Sequence, residues 1–355
     1  MAYKVLYVED LEPDTIISEL KAQGIETIHN DPKTLEKILY SINSDISALI
    51  LDFRLTSKEA KFDAPTIAQT LRTKNSHTYR NIPIILLSSE DNITGYYEDY
   101  SSQDLFDFSV TKEAFRANPG KYSNRIKSFI EAYKIVQESN FDYSKILGLT
   151  VEEYEKIDYR ICSFLNHSNI KNHTYAVALF INQNIIQPTG LLINENILSA
   201  RLGVCKNSPD WSNLINKLES ASYSGILKDV FPRWWMTKIE NWWGSINSTP
   251  TSIRRLNAIQ RIEIIKQNTE LCNLTPLEPT PHSKSKKFWT VCIDTNKAID
   301  PIDGLELYRR ELFPWQDKEY ISINAGLEAT KSLPFVKPAG KNRLKLIGEQ
   351  INQNG

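Results

Sequence analysis

The first third of the sequence predicts an α/β fold, a doubly wound five-stranded parallel sheet. A mostly α-helical (α+β) region is expected after it. Three observations lead there. Short runs that are apolar throughout alternate with stretches of helical spacing, the pattern of strands buried on both faces of a parallel sheet. Several of these runs end on a carboxylate, a hydroxyl or a lysine. The chain has 355 residues, more than one ordinary domain holds, so a second domain is expected.

The elements follow in order. Tyr3–Val8 is an apolar run rich in β formers, followed at once by Glu9 and Asp10. Pro13 to about Gln23 carries Ile16, Ile17 and Leu20 at helical spacing, and Gly24 is placed to end that helix. Glu26–His29 reads as a short strand. Asp31 is the expected cap of a helix that starts at Pro32 and carries Leu35, Ile38, Leu39 and Ile42. Ala48–Leu51 is a strand ending in Asp52, Ala64–Thr73 a helix, and Pro83–Leu87 a strand ending in Ser88 and Ser89. Phe106–Val110 is the fifth strand, placed before Lys112, and Lys121–Gln137 is the closing helix.

In an open parallel sheet, functional side chains gather outside the carboxyl ends of the strands. Here those ends bring Glu9, Asp10 and Asp52 together, and three converging carboxylates need a cation. Oxygen-only ligands favour Mg²⁺, which keeps several waters and leaves room for a phosphoryl oxygen. Asp52 is then the expected nucleophile, attacking phosphorus to form an aspartyl phosphate. Lys112 supplies positive charge to the phosphoryl oxygens, and the Ser88 hydroxyl a hydrogen bond.

The segments VLYVED, ALILDFRL, PIILLSSED and SVTKE resemble those of a response-regulator receiver (CheY-like) domain, over residues 1–135. The resemblance implies Asp52 as phospho-acceptor, Glu9 and Asp10 as the acidic pair, Ser88 as the switch hydroxyl and Lys112 as the invariant lysine. It also implies the backbone carbonyl of Arg54 as a metal ligand. The sequence departs from the family pattern at several points. Glu113 stands where Pro is usual, and Ser109 where an aromatic residue is usual, with Phe108 one step away. The loop Thr56–Asp63 is long, and Asn92–Asp104, with Tyr96, Tyr97 and Tyr100, makes a poor fourth helix.

Residues 136–355 resemble no family. Thr150 with Glu152 and Glu153 opens a helix expected to run to about Leu165. Tyr175–Leu192 is apolar, with Val177, Leu179 and Ile181 in alternation. Asn194–Leu202, Asp210–Ser220 and Ser252–Gln267 read as helices, Pro276–Lys287 as a loop, and Phe288–Ile293 as a strand. The tail from Pro334 has the composition of a mobile segment. FPRWWMTKIENWW brings Trp234, Trp235, Trp242 and Trp243 close together, as a helical core or a partner-binding face. Cys162, His167 and His173 have no common zinc spacing. Asp294, Asp300, Asp303 and Glu306 read as a solvated turn, and no Ser/His/Asp, HExxH or GxSxG order occurs in 136–355.

Composition sets the outer limits. The net charge is −1, which gives no bulk pull toward nucleic acid or anionic membrane. Residues 1–135 carry 16 basic and 20 acidic side chains, and residues 245–355 carry 16 and 12. The four cysteines form no CxxC pair, which fits a reducing, cytoplasmic setting, and no apolar run reaches membrane-spanning length. The leading expectation is a response-regulator-like signalling protein. Its receiver accepts phosphate from a histidine-kinase-like ATPase, and residues 136–355 bind a protein partner. Catalysis beyond phosphoryl acceptance and autodephosphorylation is not expected. The alternatives are a transcription regulator with an atypical DNA-binding output, or a non-phosphorylated pseudo-receiver scaffold in a stress or phage-defence assembly.

Overall fold

Alternation at a period of two gives the inner strands of the N-terminal sheet two buried faces. Leu6, Val8, Leu49, Leu51, Ile84 and Leu86 enter one core, while Val5, Tyr7, Ala48, Ile50, Ile85 and Leu87 are buried on the other face. The computed structural model describes residues 3–31, 34–55, 62–73, 81–98, 104–247, 249, 251–308 and 312–354. It divides into two compact units, Met1–Ile181 with Ser224–Val230, and Asn182–Tyr223 with Phe231–Gly355.

The first unit contains strands β1 (Tyr3–Val8), β2 (Ile25–Asn30), β3 (Ala48–Leu51), β4 (Ile84–Ser88) and β5 (Phe108–Thr111). They form one sheet in the order β2-β1-β3-β4-β5, and every pairing is parallel. The connecting helices are α1 (Asp14–Ala22), α2 (Leu35–Ser41), α3 (Ala64–Thr73), α4 (Glu90–Glu98), α5 (Lys112–Ala117) and α6 (Pro119–Glu138). Four more helices follow within the unit, α7 (Tyr143–Leu147), α8 (Val151–Glu155), α9 (Tyr159–Leu165) and α10 (Thr174–Ile181). The compact unit therefore runs beyond residue 135. Ser224–Val230 joins it through Ile226 N–H to Ile146 O (2.9 Å) and the Ser224 hydroxyl to Gly148 O (3.0 Å).

Local differences from the expected elements have physical causes. Helix α2 is capped by Thr34, whose hydroxyl accepts from Lys37 N–H; the expected start at Pro32 lies outside the described residues. The chain from Asn92 forms the end of α4 despite poor propensity, because Tyr96 is buried edge-on against Phe106 (5.5 Å) and Phe53 (5.9 Å). Tyr100 and residues 56–61 of the long loop lie outside the described residues. Thr150 and Glu153 form a reciprocal capping box, but α8 stops at Glu155 and α9 begins afresh under Asp158. Alternation at Val177, Leu179 and Ile181 reads as strand spacing, yet the segment is helical, since an almost wholly apolar stretch carries no usable period.

The second unit holds α11 (Glu195–Leu202), α12 (Trp211–Lys217), α13 (Met236–Ile246), α14 (Ala258–Asn268), α15 (Ile323–Leu327) and α16 (Pro338–Asn354). Its short antiparallel pairs are β6 (Leu192–Ile193) with β7 (Trp234–Trp235), β8 (Thr290–Val291) with β9 (Ala298–Ile299), and β10 (Gly304–Glu306) with β11 (Tyr320–Ser322). The tail after Pro334 is thus mostly helix. Ser252–Gln267 is not one helix: a 3₁₀ turn at Ile253–Arg255 precedes α14, which Asn257 caps. Trp234 and Trp235 lie on β7, so they share no helix face with Trp242. Trp234, Trp235 and Trp243 are all buried, and the Trp243 indole N–H donates to Thr251 O at 3.1 Å.

One polar network is buried in the first unit at the strand ends opposite Asp52. Asp107 accepts from Arg72 Nη2 (2.8 Å), Ile84 N–H (2.7 Å) and the Tyr133 hydroxyl (2.7 Å). Arg72 also donates to Leu105 O and Ile82 O, and its guanidinium lies 3.7 Å from the centroid of the Tyr175 ring. The arrangement ties α3, β4, β5, α6 and α10 together. Removing one partner of a buried pair leaves an uncompensated charge, so Arg72→Met is expected to lose ~3–5 kcal/mol in denaturant unfolding. Trp243→Ala should lose ~3–5 kcal/mol as a core truncation, whereas a docking tryptophan would leave the unfolding midpoint in place.

Candidate functional site

Strand register builds the site. Val8 pairs with Leu51, and Asp52 N–H continues the ladder to Val8 O at 3.0 Å, so Glu9 and Asp52 leave neighbouring strands side by side. Ser88 pairs with Thr111, which sets Lys112 one step past it on β5. The Thr111 hydroxyl then accepts from Ala114 N–H and caps α5, so Lys112 is the first residue of a helix.

Glu9, Asp10 and Asp52 are all buried, and each offers an oxygen within 4.8 Å of the others. Among the described residues they are the one such group of potential metal ligands. Lys112 Nζ lies 2.5 Å from Glu9 Oε2 and 3.3 Å from Asp52 Oδ1. Asp52 Oδ1 is buried and has the ammonium beside it, but no well-aligned hydrogen bond. Ser88 is fully buried; its oxygen accepts from Phe53 N–H (3.4 Å) and from Asn92 Nδ2 (3.2 Å). Arg54, two residues beyond Asp52, has an exposed side chain. The expected residues Glu9, Asp10, Asp52, Ser88 and Lys112 thus meet at one end of the sheet.

Two further residues engage Glu9. The Tyr7 hydroxyl donates to Glu9 Oε2 at 3.0 Å, and His29 Nε2 lies 2.8 Å from Glu9 O. The signal for Tyr7 is its spacing: two residues before Glu9 on a strand puts both on one face. His29 carries no such signal, since it arrives from the neighbouring strand β2.

The electrostatics are those of carboxylates removed from water. Burial, together with the Asp52 charge, raises the Glu9 carboxyl above the usual glutamate range, against the pull of Lys112 and Tyr7. Burial opposes the Lys112 charge, but the Glu9 and Asp52 carboxylates outweigh it and hold the ammonium above the usual lysine range. The all-oxygen donor set and the poorly satisfied Asp52 oxygen fit a hard divalent cation such as Mg²⁺.

The other clusters resolve into structure. Asp303 accepts from Lys284 and Ser285 N–H, Asp300 from the Ser285 hydroxyl, Asp294 from Thr330 and Ser332, and Glu306 from Lys318 and Lys337. Arg261 is fully buried and donates to Ala200 O and Arg201 O, the last carbonyls of α11. Arg254 lies over Trp289 and pairs with Asp300. Both basic side chains are thus engaged by partners of their own unit. No helix among the described residues is long and apolar enough to cross a membrane.

A raised folded-state pKa favours the protonated form. Glu9 therefore contributes stability below the ordinary glutamate value and loses it as pH rises through its folded value, leaving the ionised form unfavourable at neutral pH. Glu9→Gln should stabilise the protein at pH 7 by about 1 kcal/mol, and thermal melts should show the gain shrinking on acidification.

Several solved structures are similar to this chain. An adenylate cyclase from Rhodopirellula baltica is 14% identical, covering 39% of this chain and 97% of that chain at a TM-score of 0.32. A response regulator receiver domain protein from Clostridium thermocellum is 15% identical, covering 38% and 98% at a TM-score of 0.30. The receiver domain of the Francisella response regulator 1452 is 22% identical, covering 35% and 95% at a TM-score of 0.27. No protein-family model matches the sequence, and no curated protein does. Five parallel strands in the order β2-β1-β3-β4-β5 are the doubly wound arrangement that CheY-like domains share with flavodoxin.

Proposed function

We propose that this is a response-regulator-like signalling protein that accepts a phosphoryl group on Asp52. The observation that carries the reading is the Asp52 carboxylate, buried beside Glu9 and Asp10 with the Lys112 ammonium 3.3 Å away. An Asp52 oxygen attacks phosphorus, and the bond from phosphorus to the donor atom breaks, its electron pair leaving with the donor. The product is an acyl phosphate. Lys112 shifts from Glu9 to a phosphoryl oxygen. The Ser88 hydroxyl uses its oxygen as acceptor toward both Phe53 and Asn92, so its proton can donate to the same group. Glu9, Asp10, Asp52 and the Arg54 carbonyl would hold Mg²⁺, which supplies charge neutralisation when bound.

In this reading residues 1–135 are the switch, a histidine-kinase-like ATPase is the donor, and residues 136–355 bind a protein partner. A pseudo-receiver scaffold is the second reading. Its supporting observation is that Lys112, 2.5 Å from Glu9, already neutralises part of the carboxylate cluster.

Incubation with Mg²⁺ and acetyl phosphate should add one phosphoryl group by intact mass, and Asp52→Asn should abolish the gain. The adduct should be lost at alkaline pH, as acyl phosphates are. No mass gain with generous donor and Mg²⁺ would favour the scaffold. Asp10→Asn should weaken Mg²⁺ binding in calorimetry, and an unchanged affinity would remove Asp10 from the metal site.

A further inference from the structure

Resting on the phospho-acceptor reading, we propose that Tyr7 is a positioning residue for the cation site: its hydroxyl fixes the Glu9 carboxylate for metal binding. Tyr7 is fully buried on β1. For packing alone, phenylalanine would serve as well, because the ring fills the space and the hydroxyl adds only a polar group that must be satisfied. That hydroxyl is spent on Glu9 Oε2 at 3.0 Å. The same oxygen takes the Lys112 ammonium at 2.5 Å. Glu9 Oε1, by contrast, receives a long 3.5 Å approach from Leu11 N–H, so its lone pairs are the ones open to a cation.

Tyr7 and Lys112 thus divide the carboxylate, one oxygen anchored in the protein and one presented. The His29 ring against Glu9 O holds the main chain of the same residue at 2.8 Å. The two anchors on Oε2 differ in permanence. Lys112 must leave Oε2 when it turns to a phosphoryl oxygen, whereas the Tyr7 hydroxyl stays. Tyr7 therefore keeps Glu9 in place through the step in which its other partner departs.

The test is Mg²⁺ calorimetry on the full, unphosphorylated chain, comparing wild type with Tyr7→Phe. Loss of a hydrogen bond that orients a metal-binding carboxylate is expected to weaken Mg²⁺ about tenfold. The Mg²⁺ half-saturation of phosphorylation should shift upward by a similar factor. In a Glu9→Ala background Tyr7→Phe should add nothing, because the two changes act through one contact. Independently of any variant's folding, Mg²⁺ titration of wild type should give a tyrosine ultraviolet difference signal. Equal Mg²⁺ affinity for wild type and Tyr7→Phe would overturn the assignment. So would full additivity with Glu9→Ala, or a silent tyrosine spectrum. Mg²⁺ binding without phosphoryl uptake would instead remove Asp52 as acceptor and leave Tyr7 its role. Absence of Mg²⁺ binding by wild type would remove both the metal and the Tyr7 assignment.

Discussion

Three buried carboxylates meet at the carboxyl end of the sheet, two of them, Glu9 and Asp52, sharing the Lys112 ammonium, and the strand register of the first unit holds them there. Like charges about 4 Å apart repel by roughly 4 kcal/mol even at an effective dielectric near 20. Left alone, such a cluster would open or take up protons. Lys112 reaches it because β5 is placed beside β4 and ends where α5 begins, with the lysine as the first helical residue. Glu9 and Asp52 share one ammonium, and the all-oxygen group they form with Asp10 fits a hard divalent cation. Under the proposed function, phosphoryl oxygens on Asp52 compete with Glu9 for the same ammonium.

The opposite end of the sheet is organised differently. There Arg72, Asp107 and Tyr133 satisfy one another in a closed network, with Tyr175 of α10 over the guanidinium. One pole is electrostatically unbalanced and chemically ready; the other is balanced and structural. Because α3, β4, β5, α6 and α10 all contribute to the balanced pole, the strands that lead to Ser88 and Lys112 are tied at their other ends. Strain introduced at the reactive end has a rigid sheet to act against.

The reactive pole is legible in the sequence because it is built by the strands' own ends. An apolar run that stops at Asp52, Ser88 or Lys112 announces both the strand and the residue it delivers. The balanced pole is not legible. Arg72, Asp107, Tyr133 and Tyr175 come from four separate elements, and no local pattern distinguishes a buried arginine from a solvated one. The same blindness affects Arg261, which donates to carbonyls in the last turn of α11 from inside the core. Helix α4 and the helical Tyr175–Ile181 stretch show tertiary packing overriding local propensity and period. The tryptophan run shows the reverse trap: helical spacing extends across a strand-to-helix junction, and Trp235, the residue that ends the strand, caps the helix instead.

The central claim is that Asp52, and no other group, carries the phosphoryl. Borohydride reduction after incubation with acetyl phosphate and Mg²⁺ tests it most directly, since it converts an aspartyl phosphate to homoserine that peptide mapping can locate. The expected result is homoserine at residue 52 alone, lost when Mg²⁺ is chelated before donor is added. Homoserine at Asp10, a stable phosphate on Ser88 or Ser89, or unmodified Asp52 under all these conditions would contradict it.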